Sequence, residues 1–259
     1  MKALEAFVRH LAENNYHPRS DAHSNAVCLA IVDDLLAHCP AFAERAQAGE
    51  IVAKLNHTVK VHYQDWNIDL AVGPPPGSPI PPSNGSITFE TPATIELALE
   101  AKAIMTEHGK ARRNRLRDPQ AFHGYAHSYN EKTIAVGTVA VNVSRVFWSP
   151  TRSTDDITEH AKIETLGKST VELFRGLPLR HTPAEGPGFE AVSLLVVDFD
   201  NLRKNPAPPY GAPRPQDPKL VTGTPAPQTG DPMHHATMIH RICAAYEDRW
   251  QQRNPRRSA

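Results

Sequence analysis

The run ATIELALEAKAIM at residues 93–105 constrains the fold more than any other part of the chain. Ile95, Leu97, Leu99 and Ala101 alternate with Glu96, Ala98, Glu100 and Lys102. A side-chain period of two belongs to a β-strand, because successive side chains of an extended chain point to opposite faces. One face of this strand is apolar and the other charged, so it needs partner strands and a covering layer. Two partners lie upstream. IVAKLNHTVKVHY places Val59, Val61 and Tyr63 on one side, and WNIDLAVG does the same with Ile68, Leu70 and Val72, which predicts a hairpin turning near Gln64 and Asp65. Before them, Asp21 to Cys39 carries Val27, Ile31 and Leu35 beside Cys28, Val32 and Leu36, the broad stripe of a core helix with Asp33 and Asp34 off it.

After the charged strand, a polar and basic stretch predicts a helix over about 106–117 that ends in a turn at Pro119. KTIAVGTVAVNVS at 132–144 reads as a buried strand, ITEHAKIETLGKSTVELFRGL as an amphipathic helix, FEAVSLLVVDFDN as a strand, and about 233–252 as a closing helix. The order is helix, three strands, helix, strand, helix, strand, helix. Of the 24 prolines, twelve bunch at 73–85 and 205–218, where they mark loops or an arm, not sheet interior.

Composition excludes little. Hydrophobic residues at 40% and charged residues at 22% are ordinary globular usage. The N-terminal MKALEAFVRHLAENN carries charge throughout and lacks the apolar region of a signal peptide, and no run approaches the ~18 apolar residues of a membrane span. Cys28, Cys39 and Cys243 fit no zinc spacing and read as reduced core thiols. A cytoplasmic location without membrane contact is expected. A net charge of zero argues against a nucleic-acid enzyme unless positive charge is gathered locally. It is gathered: Lys110, Arg112, Arg113, Arg115 and Arg117 fall within eight residues, with Asn114 among them as a polar group able to meet base edges. Arg145, Arg152 and the terminal RNPRR are further phosphate candidates.

The element order, with Asp69 in NIDLAVG on the second strand and Glu100-Ala101-Lys102 in LEAKA on the third, resembles the restriction-endonuclease-like PD-(D/E)xK nuclease superfamily. The usual leading proline is replaced by Ile68, and the resemblance covers roughly residues 20–150. EAKAIMTEHGKARRNR, AFHGYAH and TIAVGTVAVNVS look like a run found in restriction-endonuclease-like proteins of prokaryotic defence, type II enzymes among them. The resemblance implies an α/β fold with an αβββαβ core, a mixed central sheet flanked by helices. The chain then divides into an N-terminal helix (1–20), a nuclease core (21–200), a proline-rich arm (201–232) and a C-terminal helix with a basic tail (233–259).

The chemistry fits these residue types. Phosphodiester hydrolysis needs an activated water and charge stabilisation on the phosphoryl oxygens, which a bound divalent metal supplies. Mg2+, with Mn2+ able to substitute, takes one or two carboxylates plus water and phosphate, so Asp69 and Glu100 form a candidate cradle with the Ala101 carbonyl as a further ligand. Lys102, two residues on from Glu100, shares its face and can orient or deprotonate the water. Glu96 and His108 are candidate auxiliary residues. Such a site cuts one strand, so cleavage of double-stranded DNA implies a homodimer, docked through the closing helix or the proline-rich arm, and a restriction role implies a cognate methyltransferase.

Competing readings stand beside this one. A (D/E)xK triplet arises by chance in a chain of this size, and Asp217-Pro218-Lys219 is another, set in a proline-rich loop. The acids of the strand are then a solvated salt bridge, or the chain is a nucleic-acid-binding protein that does not cleave. A zinc hydrolase built on His123 and His127 is a third reading, opposed by Pro119 and Gly124, which make a regular helix doubtful there. His234, His235 and His240 have no carboxylate companion in the sequence and receive no role.

Overall fold

The computed structural model describes residues 2–83, 86–106 and 108–250, with the side chains of residues 2, 3 and 108–115 outside that description. The helices are α1 (Lys2–Asn14), α2 (Ala22–His38), α3 (Pro40–Gln47), α4 (His108–Tyr129), α5 (Ile163–Arg175) and α6 (His235–Trp250). The strands are β1 (Val52–Val61), β2 (Gln64–Gly73), β3 (Thr88–Phe89), β4 (Leu97–Ile104), β5 (Ile134–Asn142), β6 (Val146–Trp148), β7 (Ile157–Glu159), β8 (Ala191–Asp198) and β9 (Lys219–Leu220).

Seven strands form one mixed sheet in the order β3-β1-β2-β4-β5-β8-β9, while β6 and β7 form a separate two-stranded ribbon. β1, β2 and β4 run as an antiparallel meander, and β4, β5 and β8 are mutually parallel. Helices cover both faces. Phe7 and Leu11 of α1, the α2 stripe, Phe42 of α3 and Met238, Ile239 and Ile242 of α6 pack on one face. Phe122 and Ala126 of α4 with Val171 and Phe174 of α5 pack on the other. β5 and β8 are buried on both sides, which is why they read as continuous apolar runs. No single helix among the described residues is long and apolar enough to cross a membrane; α2 and α3 pass that test only as a pair bent by 103°, and α2 is a core helix.

The hairpin of β1 and β2 changes face half-way. Leu55, Leu70 and Val72 pack beneath α2, whereas Val61, Trp66 and Ile68 pack toward α4. The switch falls where the ladder skips Asn56 opposite Asp69, and Asn56 takes a left-handed φ of 50°. Asparagine tolerates that conformation better than most residues. β2 pairs with β4 only from Leu70 to Val72, so the strands part at Asp69 and the outer half of the hairpin leans on α4, with Trp66 edge-on to Phe122.

Several expectations need correction. The hairpin turns at His62 and Tyr63, two residues earlier than expected. α4 runs unbroken through Pro119 to Tyr129. Proline there removes one helical N–H and crowds the preceding turn, a penalty of ~3 kcal/mol that burial of Phe122 and Ala126 offsets. Residues 157–159 are strand β7, and the following helix starts only at Ile163. Asp34 is not an off-stripe surface acid: it is buried and 3.0 Å from Nε2 of buried His235, the carboxylate companion that the sequence did not reveal. Cys39 and Cys243 are not reduced thiols but form a disulfide between residues 204 apart, tying the end of α2 to α6; Cys28 is the buried free thiol.

Candidate active site

The strand β4, fourth of the seven, carries the charged pair past the point where β2 stops pairing with it. Glu100 lies in register with Gly137 and Lys102 with Val139, on the face where Ala98, Val139 and Ile104 pack toward α4. Gly137 has no side chain, and Phe189 and Val192 close over the place one would occupy. Glu100 is 7% exposed and ion-paired with Lys102. Asp69 arrives from β2 at the point where that strand leaves β4, and its Oδ2 accepts the Ala101 N–H at 2.7 Å. In a strand the N–H and C=O of one residue point to the same edge, so the Ala101 carbonyl also faces the opening between β2 and β4. One bend in a hairpin thus brings an aspartate, a glutamate, a lysine and a backbone carbonyl to one fork in the sheet.

The electrostatics are those of acids kept from water with too little positive charge to balance them. Burial pushes the Glu100 carboxyl up to about 7, Lys102 draws it down and Asp69 pushes it further up. Burial also raises Asp69, against the Ala101 N–H and Lys102, and Asp21 adds to the rise. Burial alone would lower the Lys102 ammonium, but the carboxylates of Glu100, Asp69 and Asp118 outweigh it and hold the ammonium above its ordinary value. A divalent cation would relieve this imbalance. The donor set of two carboxylates and a carbonyl is hard oxygen, which suits Mg2+ or Mn2+.

Two acids near the site escaped the sequence reading. Asp118 of α4 faces the Glu100–Lys102 pair electrostatically, and Asp21, the N-cap residue of α2, lies in a cleft with Asp69. The sequence signal for Asp21 is its place just before the helical stripe, and Asp118 is masked by the basic run that it ends.

Glu96 does not belong to the site. It precedes β4, and its carboxylate receives Arg45 of α3 at 2.7 and 3.0 Å and the Tyr246 hydroxyl of α6 at 2.9 Å, on the face opposite Glu100. Ile95 likewise parts from Leu97 and joins the α4 side. The ladder begins at Leu97, so the two-residue period does not extend back to these positions.

The basic run sits at the start of α4, directly after β4. The side chains of His108, Lys110, Arg112, Arg113, Asn114 and Arg115 lie outside the described residues, as does the terminal RNPRR; Arg117 is exposed. Arg145 and Arg152 are each ion-paired, with Glu159 and Asp156. Asp217 of the second triplet is exposed and paired with Arg203. His123 and His127 do share a helix face, with ring centroids 6.2 Å apart, and His127 Nε2 is 3.4 Å from Glu190. Among the described residues, however, the group that brings three ligand atoms together is Cys39, Cys243 and Glu247, whose two sulfurs are bonded to each other. Comparison with protein-family models, with curated proteins and with solved structures finds no match for this chain.

Proposed function

We propose that the chain is a Mg2+-dependent endonuclease that hydrolyses phosphodiester bonds of double-stranded DNA, with the αβββαβ core of restriction-endonuclease-like enzymes. The observation that carries this reading is the meeting of Asp69 with the buried Glu100–Lys102 pair where β2 and β4 part. With the short α3 and the two-residue β3 set aside, the succession α2, β1, β2, β4, α4, β5 is compatible with it. Asp69, Glu100 and the Ala101 carbonyl would hold the metal, which when bound would supply charge stabilisation on the phosphoryl oxygens and a more acidic water.

The protein's own groups do the rest. Asp69 is fixed in orientation by the Ala101 N–H. Glu100, buried and ion-paired with Lys102, is placed to share the cation with Asp69. Lys102 brings a lasting positive charge to the phosphate as negative charge develops there. Arg117, exposed on α4, offers a phosphate contact that needs no net positive charge on the whole chain. We further propose a homodimer, since one site cuts one strand, with Mn2+ able to replace Mg2+, a cytoplasmic location and a methyltransferase partner if the role is restriction.

The test is incubation of purified protein with plasmid and phage DNA in Mg2+, Mn2+ or EDTA, beside Glu100→Ala and Lys102→Ala. Metal-dependent cutting lost in both variants is expected. Binding without cutting by the wild type on every DNA would instead support a non-cleaving nucleic-acid-binding protein.

A further inference from the structure

A cleft of about 180 Å3 opens on the α1–α2 side of the fork, with Asp69 and Lys102 in its wall. Its existence has a local cause. The sheet floor there is Ala101, Ala103, Thr138, Ala140 and Leu195, the first four of them small. Protein interiors are close-packed, and unfilled space is destabilising, so small side chains at four adjoining floor positions are unexplained by stability alone.

The walls are specific in character. Tyr16 lies stacked on His23, ring centroids 4.9 Å apart at 27°, and Phe7 adds a third ring. Ser24 and Thr138 contribute hydroxyls; that of Ser24 donates to the Asp21 carbonyl at 3.0 Å and that of Thr138 lies 2.8 Å from the Ser193 hydroxyl, so what each has left for a ligand is acceptor capacity. The His23 ring is held in place at both nitrogens: Nε2 accepts the His17 N–H at 2.9 Å and Nδ1 lies 2.9 Å from His10 Nε2. It is a fixed, uncharged plate. An engineered cavity of ~150 Å3 takes up one benzene ring, so this cleft has room for a single heteroaromatic ring and not for a stacked base pair.

We propose that the cleft receives one unstacked nucleobase of the strand whose phosphate lies at Asp69, Glu100 and Lys102, so that the enzyme draws a nucleotide out of the duplex beside the bond it cuts. This rests on the nuclease reading above and names the form of its substrate. The groups attached to a phosphodiester are nucleosides, and the cleft adjoins the point where that phosphate would be held. Aromatic plates accept any base by its flat face, and hydroxyls accept hydrogen bonds at its edge. Withdrawing a base is easiest at a mismatch or in single-stranded DNA, so those substrates are cut faster than a perfect duplex.

The experiment places 2-aminopurine at each position around the mapped cleavage point and follows its fluorescence on binding in Ca2+. Wild-type protein should raise the signal several-fold at one nucleotide flanking the cut bond and leave distant positions unchanged. Ala103→Leu, which fills the cleft from its floor and leaves Asp69, Glu100 and Lys102 unsubstituted, should abolish the fluorescence rise and slow duplex cleavage at least ten-fold while metal-dependent cutting of single-stranded DNA persists. Tyr16→Leu should weaken the rise and Tyr16→Phe restore it. Normal cutting with no fluorescence change at any position, or undiminished duplex cutting by Ala103→Leu, would overturn the proposal and leave the nuclease standing. Absence of metal-dependent cutting by the wild type would remove the nuclease reading, and this proposal with it.

Discussion

Glu100→Gln should make the folded protein more stable above neutral pH, even as it removes a carboxylate on which the proposed chemistry depends. Burial pushes the Glu100 carboxyl from an ordinary 4.5 to about 7, net of the downward pull of Lys102 and the upward push of Asp69. Between those two values the folded chain holds a proton that the unfolded chain has released, so stability falls as pH rises through that window. The width of the window corresponds to about 3 kcal/mol lost from the wild type by pH 8. Glutamine resembles the protonated acid in shape and cannot ionise, so it escapes this loss. At pH 8 the variant should be the more stable by about 2–3 kcal/mol, a rise in melting temperature of roughly 5–10 °C, and the two proteins should converge near pH 4.5. Thermal melts of both proteins in EDTA between pH 4.5 and 8 measure this, and the difference between them cancels the other titrating groups. Adding Mg2+ at pH 8 should raise the wild type and narrow the gap. A variant less stable than wild type at pH 8, or a difference that does not change with pH, would refute the account of the site as buried, under-neutralised acid.

Glu96→Ala breaks the contacts to Arg45 and Tyr246 and should destabilise by about 3 kcal/mol in chemical denaturation, while DNA cutting by the folded fraction stays within a few-fold; a specific loss of cutting would return Glu96 to the site. His23 is held at about 4, below its ordinary 6.5, by burial first and then by His10, Lys204 and His17, so it should contribute a loss of stability as pH falls from 6.5 to 4. His23→Asn should flatten that part of the pH profile in melts compared with wild type. Cys39→Ser, or reduction of the wild type, should lower unfolding free energy by about 2–4 kcal/mol, seen as a lower denaturant midpoint.

The parts of the fold that could be read from the sequence are those with local periodicity. The α2 stripe, the alternation in β1 and β2 and the β-branched run of β5 each declare themselves within a dozen residues. Asp69, Glu100 and Lys102 were legible because the spacing of two fixes a common face for the last two, and a preceding strand supplies the first. Glu96 was misread by carrying that spacing beyond the ladder, where hydrogen bonding no longer enforces it. Pro119 was read by its usual effect, yet the gain from packing Trp66 against Phe122 lies far away in sequence and reverses the outcome. The pairs Asp34 with His235 and Cys39 with Cys243 join positions about two hundred residues apart, and no window along the chain contains both members. Asp21 belongs with these, since its nearness to Asp69 depends on how α2 crosses the sheet.

The bridge between Cys39 and Cys243 also decides what proteolysis can do to this protein. The prolyl stretch at 205–218 is largely exposed and lies between the two linked cysteines in sequence, so any single nick there cuts a closed covalent ring and not a linear chain. The two fragments stay attached, with α6 still bound to the end of α2 and the acids of the fork all on the larger piece. A nicked sample should therefore migrate as one band without reductant and as two with it, and an intact mass on a reducing gel is the proper proof that the arm is whole.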